Sequence, residues 1–143
     1  MFLGSYDYSI DDKGRLVIPS KFRNEIGEKL YLLKGFDGCL SIYKEVDFQR
    51  YISKLQNLPF EKSKTRLHLR ILLNTIVELN VDNSGRIQIP TKTLQQYSIG
   101  KSVKIIGLID HFEVWDVDSW MKYREDNEKN FEKDAEDLLK NEE

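Results

Sequence analysis

Apolar and polar residues alternate on both sides of a short polar stretch near the start of the chain. Tyr8 and Ile10 precede DDKGR, and Leu16 and Ile18 follow it, two positions apart on each side. Each flank therefore predicts a half-buried strand beside a tight turn. The runs LYLL at 30–33 and VKIIGLI at 103–109 are rich in branched apolar residues and predict buried strands. Helical spacing dominates two other stretches. Over about residues 60–75, Leu67, Ile71 and Leu72 fall at helical intervals with Lys64, Arg66 and Arg70 interleaved, which predicts a helix with one basic side. From Asp118 onward nearly every residue favours a helix, and Phe131, Ala135, Leu138 and Leu139 recur at i, i+4, i+7 and i+8 on a charged background. Two readings of that stripe stay open: a solvated helix that frays at its end, or one that docks on a sister subunit or another partner.

The pattern is also doubled. DDKGRLVIP at 11–19 returns as DNSGRIQIP at 82–90, with Asp, Gly, Arg, Ile and Pro at the same offsets 71 residues on. Lys21 answers Lys92. After a one-residue shift LSIY at 40–43 answers FEVW at 112–115, and Phe48 and Tyr51 answer Trp120 and Tyr123. Each half predicts a strand, a turn, a strand, a short helix, two more short strands and a closing helix. Two copies are too few for a solenoid, so one pseudo-symmetric domain is expected, mixed α+β with a mainly β core. Its repeats lie at 1–56 and 78–123, a basic linking helix at 57–77 and an acidic helical tail at 124–143.

The turns carry the candidate chemistry. Gly14 and Gly85 stand where a tight turn needs positive φ. Pro19 and Pro90 cannot donate to a sheet ladder, so each ends its strand and starts the next element, with Gly27 and Gly100 as expected helix stops. Asp11 and Asp82 read as structural, their short carboxylates accepting from turn N–H groups. An arginine beside a glycine carries a planar, permanently charged fork on backbone that can approach a target closely. That suits phosphate oxygens or the paired acceptors of guanine. Lys13, Gly14 and Arg15, with Ser84, Gly85 and Arg86, are therefore the candidate contact residues.

The net charge of -2 hides a division that keeps this reading open. Residues 1–109 hold 17 Lys and Arg against 11 Asp and Glu, a balance of +6, whereas residues 110–143 hold 5 against 13, a balance of -8. A basic body carries an acidic tail.

The doubled D-x-x-G-R-[LI]-x-I-P, the opening MF-x-G, the Arg-rich linking segment and FEVWD at 112–116 together resemble the MraZ family of bacterial transcriptional regulators, over nearly the whole chain to about Tyr123. The resemblance implies a pseudo-twofold double swapped-hairpin barrel of the AbrB/SpoVT kind, with short flanking helices and a C-terminal helix. It also implies ring-shaped homo-oligomers, which bind repeated promoter sites upstream of the division and cell-wall gene cluster, the regulator's own gene included. The family's DNA-contacting loop falls on Lys13, Gly14, Arg15 and on Ser84, Gly85, Arg86. Ser84 in place of a lysine departs from the first copy, so unequal contributions from the two turns are expected. Head-to-tail rings suit direct repeats about one helical turn apart, near 10 base pairs.

Catalysis is not expected. His68 and His111 are the only histidines, Cys39 has no ligand-spaced partner, and no phosphate-loop or nucleophile-elbow motif occurs. No cofactor, metal or small-molecule substrate is implied. No run of about 18 apolar residues implies a membrane span, and the opening segment does not read as an export signal. A cytoplasmic, nucleoid-associated protein is the expectation. The rival is a protein-interaction module: AbrB-like folds also serve as antitoxins whose tails grip a toxin, a task the Phe131 to Leu139 stripe could serve.

Overall fold

The computed structural model describes residues 1–140. The first half runs β1 (Ser5–Ser9), β2 (Arg15–Val17), α1 (Ser20–Arg23), β3 (Lys29–Lys34), β4 (Leu40–Lys44) and α2 (Glu45–Gln56). After α3 (Ser63–Leu73) the order repeats as β5 (Val77–Asn80), β6 (Arg86–Gln88), α4 (Thr91–Gln96), β7 (Ser102–Gly107), β8 (Phe112–Asp116) and α5 (Val117–Asn127). A 3₁₀ turn (Glu128–Asn130) and α6 (Phe131–Lys140) close the described chain. The protein is thus mixed α+β with a mainly β core, and its two halves share one element order.

The halves are interlocked through their strand pairing. β1 and β2 flank a turn but do not pair with each other. β1 pairs with β7 and β5 with β3, giving a six-stranded antiparallel sheet in the order β1-β7-β8-β4-β3-β5. β2 and β6, one from each half, form a separate antiparallel ribbon. Each half's opening strand therefore completes the other half's sheet, which is the swapped-hairpin arrangement. The ribbon is extended at both ends by Ile18 N donating to Gly85 O and Ile89 N donating to Gly14 O, each at 2.9 Å. Alternation then buries Leu16, Ile18, Ile87 and Ile89 in a core shared with Phe2, Phe22 and Phe112, whose rings meet edge-on or tilted at 5.0–5.4 Å.

The closing helices repeat one packing device. In the first half Tyr51 of α2 meets Tyr43 at 5.3 Å, and in the second Tyr123 of α5 meets Trp115 at 5.0 Å. Among the described residues only α2 gains a further cover, because Leu72 of α3 packs with Leu33, Tyr43 and Phe48. Leu67 and Ile71, which share the predicted apolar spacing, stay 59% and 50% exposed. α3 meets the sheet near its C-terminal end, where the chain turns into β5.

Two sequence expectations are corrected. Gly27 and Gly100 do not stop their helices, since α1 ends at Arg23 with Asn24 as its C-cap and α4 at Gln96 with Tyr97 as its C-cap. At α4 it is Ser98 that takes the left-handed conformation, at φ 54°, while Ile99 N donates back to Leu94 O at 2.9 Å. This bond pattern satisfies the helix end and drives Ile99 into the core, so the turn falls two residues before the glycine. The C-terminal segment, expected to be helical from Asp118, is broken by the 3₁₀ turn at Glu128–Asn130 into α5, which Asp116 caps by accepting from Ser119 N, and α6. Residues 141–143 of the expected tail lie outside the described residues.

Candidate nucleic-acid interface

Each turn is built around one aspartate. Asp11 Oδ1 accepts from Lys13 N at 3.0 Å and Arg15 N at 2.8 Å, and its Oδ2 accepts from Arg15 Nε at 2.6 Å. Asp82 does the same, with Ser84 N, Arg86 N and Arg86 Nε each at 2.9 Å. The backbone closes both loops alike: Gly14 N donates to Asp11 O and Gly85 N to Asp82 O, each at 3.0 Å. Gly14 and Gly85 sit at φ 80° and 73°, conformations that a side chain disfavours. Bonds from the Arg15 and Arg86 backbone N–H groups, with help from their guanidiniums, hold the two carboxyls below their ordinary pKa.

The aspartates are therefore structural in a specific sense: they aim the arginines. Engaging Nε fixes the plane of the guanidinium and leaves its two terminal nitrogens available for a partner. Arg15 and Arg86 remain 36% and 34% exposed, neither sunk in the core nor loose in water.

The ribbon places both on one face. Leu16 lies opposite Ile87, and both are buried. Side chains alternate along a strand, so Arg15 and Val17 on one strand share the outer face with Arg86 and Gln88 on the other. Arg15 lies opposite Gln88 and Arg86 opposite Val17, so the arginines are diagonal neighbours whose backbones are about 7–8 Å apart. A two-stranded ribbon of that kind fits the DNA major groove, about 12 Å wide. Lys13, Gly14 and Arg15 thus stand at one end of the ribbon, and Ser84, Gly85 and Arg86 at the other.

Pro19 and Pro90 precede α1 and α4 as helix N-caps, just past the strand ends, as their lack of an N–H predicts. Two other site residues escape the sequence reading. Gln88 Nε2 donates to Lys13 O at 2.8 Å, so a side chain of the second half braces the first turn. Arg23, on α1, donates from Nε to Ile18 O at 3.0 Å and lies over the second turn, where a Cβ on Gly85 would stand 2.7 Å from Nε. The signal was present in the repeat: Gln88 answers Val17 and Arg23 answers Leu94, polar residues where the other copy is apolar.

One cleft brings Ser41, Asp110 and His111 together. His111 Nδ1 lies 2.7 Å from Asp110 Oδ1 and its ring stacks on Tyr43 at 4.6 Å. Ser41 Oγ instead lies where a side chain on Gly35 would clash, close to Cys39. That grouping lacks the serine-to-histidine hydrogen bond of a nucleophilic relay among the described residues. Cys39 is itself buried, its thiol pushed up by desolvation, and its Sγ donates to Phe36 O at 3.2 Å. Among the described residues no group of three or more His, Cys, Asp or Glu is placed to hold a metal, and no helix is long and apolar enough to cross a membrane.

Two Asp-Gly-Arg turns crossed on one ribbon between swapped halves define the class of module. The family model described as "MraZ protein, putative antitoxin-like" matches this chain twice, at residues 1–71 and 72–142, and the chain belongs to the MraZ family. The seam between the matches falls inside α3.

Proposed function

We propose that this protein is a sequence-specific DNA-binding regulator that presents the β2–β6 ribbon to the major groove, with Arg15 and Arg86 reading base edges or phosphates. The observation that carries the reading is the shared outer face of the two arginines, each held by its own aspartate. One arginine–guanine pair supplies only about 1–3 kcal/mol of discrimination, too little to select a promoter. A ring of subunits on direct repeats near 10 base pairs apart multiplies it, because each contact after the first is effectively intramolecular. The targets under this proposal are promoter repeats of the division and cell-wall gene cluster, its own upstream region included, and the place of action is the nucleoid. The acidic tail is directed away from the phosphates, which it would repel.

The test is a fluorescence-anisotropy titration of a duplex from upstream of the protein's own gene. Arg15→Ala and Arg86→Ala each lower affinity at least about 10-fold, the equivalent of 1.4 kcal/mol, with circular dichroism and oligomer size unchanged. Wild-type affinity in both variants removes the ribbon from the mechanism.

A protein-docking role has one observation in its favour: Phe131, Leu138 and Leu139 of α6 are 77%, 68% and 67% exposed. Under that reading removal of α6 abolishes partner capture, and the arginine variants change nothing.

A further inference from the structure

We propose that Arg23 supplies the cation missing from the second turn and contacts a DNA phosphate there, making the two turns electrostatic equals. This inference rests on the DNA-binding reading above.

The first turn carries Lys13 and Arg15, but the second has Ser84 where Lys13 would stand. The structure fills that deficit from the other half of the chain. α1 follows β2 at the end of the ribbon, and Arg23 reaches from α1 over Gly85, with Cζ 2.8 Å from where a Cβ would sit. Arg23 Nε donates to Ile18 O, as Arg15 Nε and Arg86 Nε donate to their aspartates. All three guanidiniums are thus held by the same nitrogen, with the terminal pair left over.

Among the described residues no carboxylate neutralises Arg23. Asp82 is taken by Arg86, and the Glu25 carboxylate by the amino group of Met1. The first turn groups Asp11 and Asp12 with Lys13, Arg15 and Lys101, whose Nζ is 3.3 Å from Asp12, two acids against three bases. The second groups Asp82 with Arg86 and Arg23, one acid against two. Each turn therefore carries a local charge of +1.

Arg23 also lines an open cleft of about 340 Å³ with Asp82, itself engaged by Arg86, and with Asn83, Ser84 and Gly85. It comes from α1, beyond the end of β2, and not from one of the paired ribbon positions. With the ribbon in a groove, a side chain from beyond the paired strands meets the sugar–phosphate backbone, so phosphate is the assigned contact. At the pseudo-equivalent place near the first turn stands Leu94, which carries no charge and packs on the core.

The experiment uses the full chain and the same upstream duplex, titrated over a range of salt. Arg23→Leu, which copies Leu94, lowers affinity about 10-fold and reduces the magnitude of the log-affinity versus log-salt slope by about one per bound subunit. Arg23→Lys keeps the slope, and adding Ser84→Lys to Arg23→Leu restores it. An unchanged slope with Arg23→Leu overturns the proposal, whether or not affinity falls, since a residue that merely braces the turn alters affinity without changing the phosphate count. If Arg15→Ala loses binding while Arg23→Leu keeps both affinity and slope, only this inference fails. If Arg15→Ala and Arg86→Ala both retain wild-type binding, the parent reading fails first.

Discussion

The two turns, at residues 11–15 and 82–86, share one latch and differ in what braces it. In both, an aspartate gathers two backbone N–H groups and an Arg Nε, and a left-handed glycine closes the loop. The first is braced by the Gln88 side chain, with Lys101 beside Asp12, whereas the second has Arg23 lying across it. The latch is local, so its Asp, Gly and Arg recur at the same offsets in sequence. The braces come from the opposite half, and nothing obliges them to match once both halves occupy a single chain. Duplication within one chain thus frees the surroundings of the turns to diverge while the arginine geometry stays common.

The glycines separate the turns most strongly. A Cβ on Gly14 would stand 2.4 Å from the backbone oxygen of Ile89, which the ribbon fixes, whereas a Cβ on Gly85 would meet the movable end of Arg23. Gly14→Ala is expected to destabilise the fold by about 3 kcal/mol, combining left-handed strain of ~1–2 kcal/mol with overpacking against backbone. Gly85→Ala should cost less, the strain of about 1–2 kcal/mol and part of the Arg23 Nε bond to Ile18 O, because that side chain can swing aside where backbone cannot. Urea denaturation of the two variants checks this, and equal losses would mean the turns are equally enclosed.

A smaller effect is expected at Gln88. Gln88→Ala removes one side-chain bond to Lys13 O and should cost about 1 kcal/mol. Amide hydrogen exchange should quicken at the first turn and stay unchanged at the second. Similar changes at both turns would show that the ribbon, not the glutamine, braces the loop.

The smallest effect is a shared one. Asp11 and Asp82 are held below the ordinary value of 3.8, first by the backbone N–H groups of Arg15 and Arg86. A depressed folded-state pKa stabilises the fold fully above the unfolded value and is lost as pH falls through the folded one. The stability gap between wild type and Asp11→Asn, or Asp82→Asn, should therefore be present at pH 6 and close below pH 3.8. The two gaps should match because the latches match, and their size is limited by exposure to water. A gap that persists in acid would assign the cost to something other than the carboxylate charge.

Much of this architecture is written locally. Alternation around DDKGR, glycine in the turns and proline after the strands predict elements whose causes lie within a few residues. The partner of each strand is not a local property. Tyr8, Ile10, Leu16 and Ile18 suit an ordinary hairpin as well as a swapped one, and only the resemblance pointed to the swap. Ser98 rather than Gly100 ends α4 because Ile99 must reach the core, a tertiary demand that overrides glycine's preference. Asp11 and Asp82 were legible as turn acceptors, but their grip on the arginines was not, since it depends on where β2 and β6 carry those side chains. Arg23 stayed hidden for the same reason: it serves a turn about sixty residues away.

The central claim is that two aspartate-aimed arginines on one ribbon read DNA. Footprinting on the region upstream of the protein's own gene, with wild type, Arg15→Ala and Arg86→Ala side by side, tests it most directly. The account predicts protected stretches recurring about every 10 base pairs with wild type and their loss in both variants while the fold persists. Protection retained by both folded variants would contradict it.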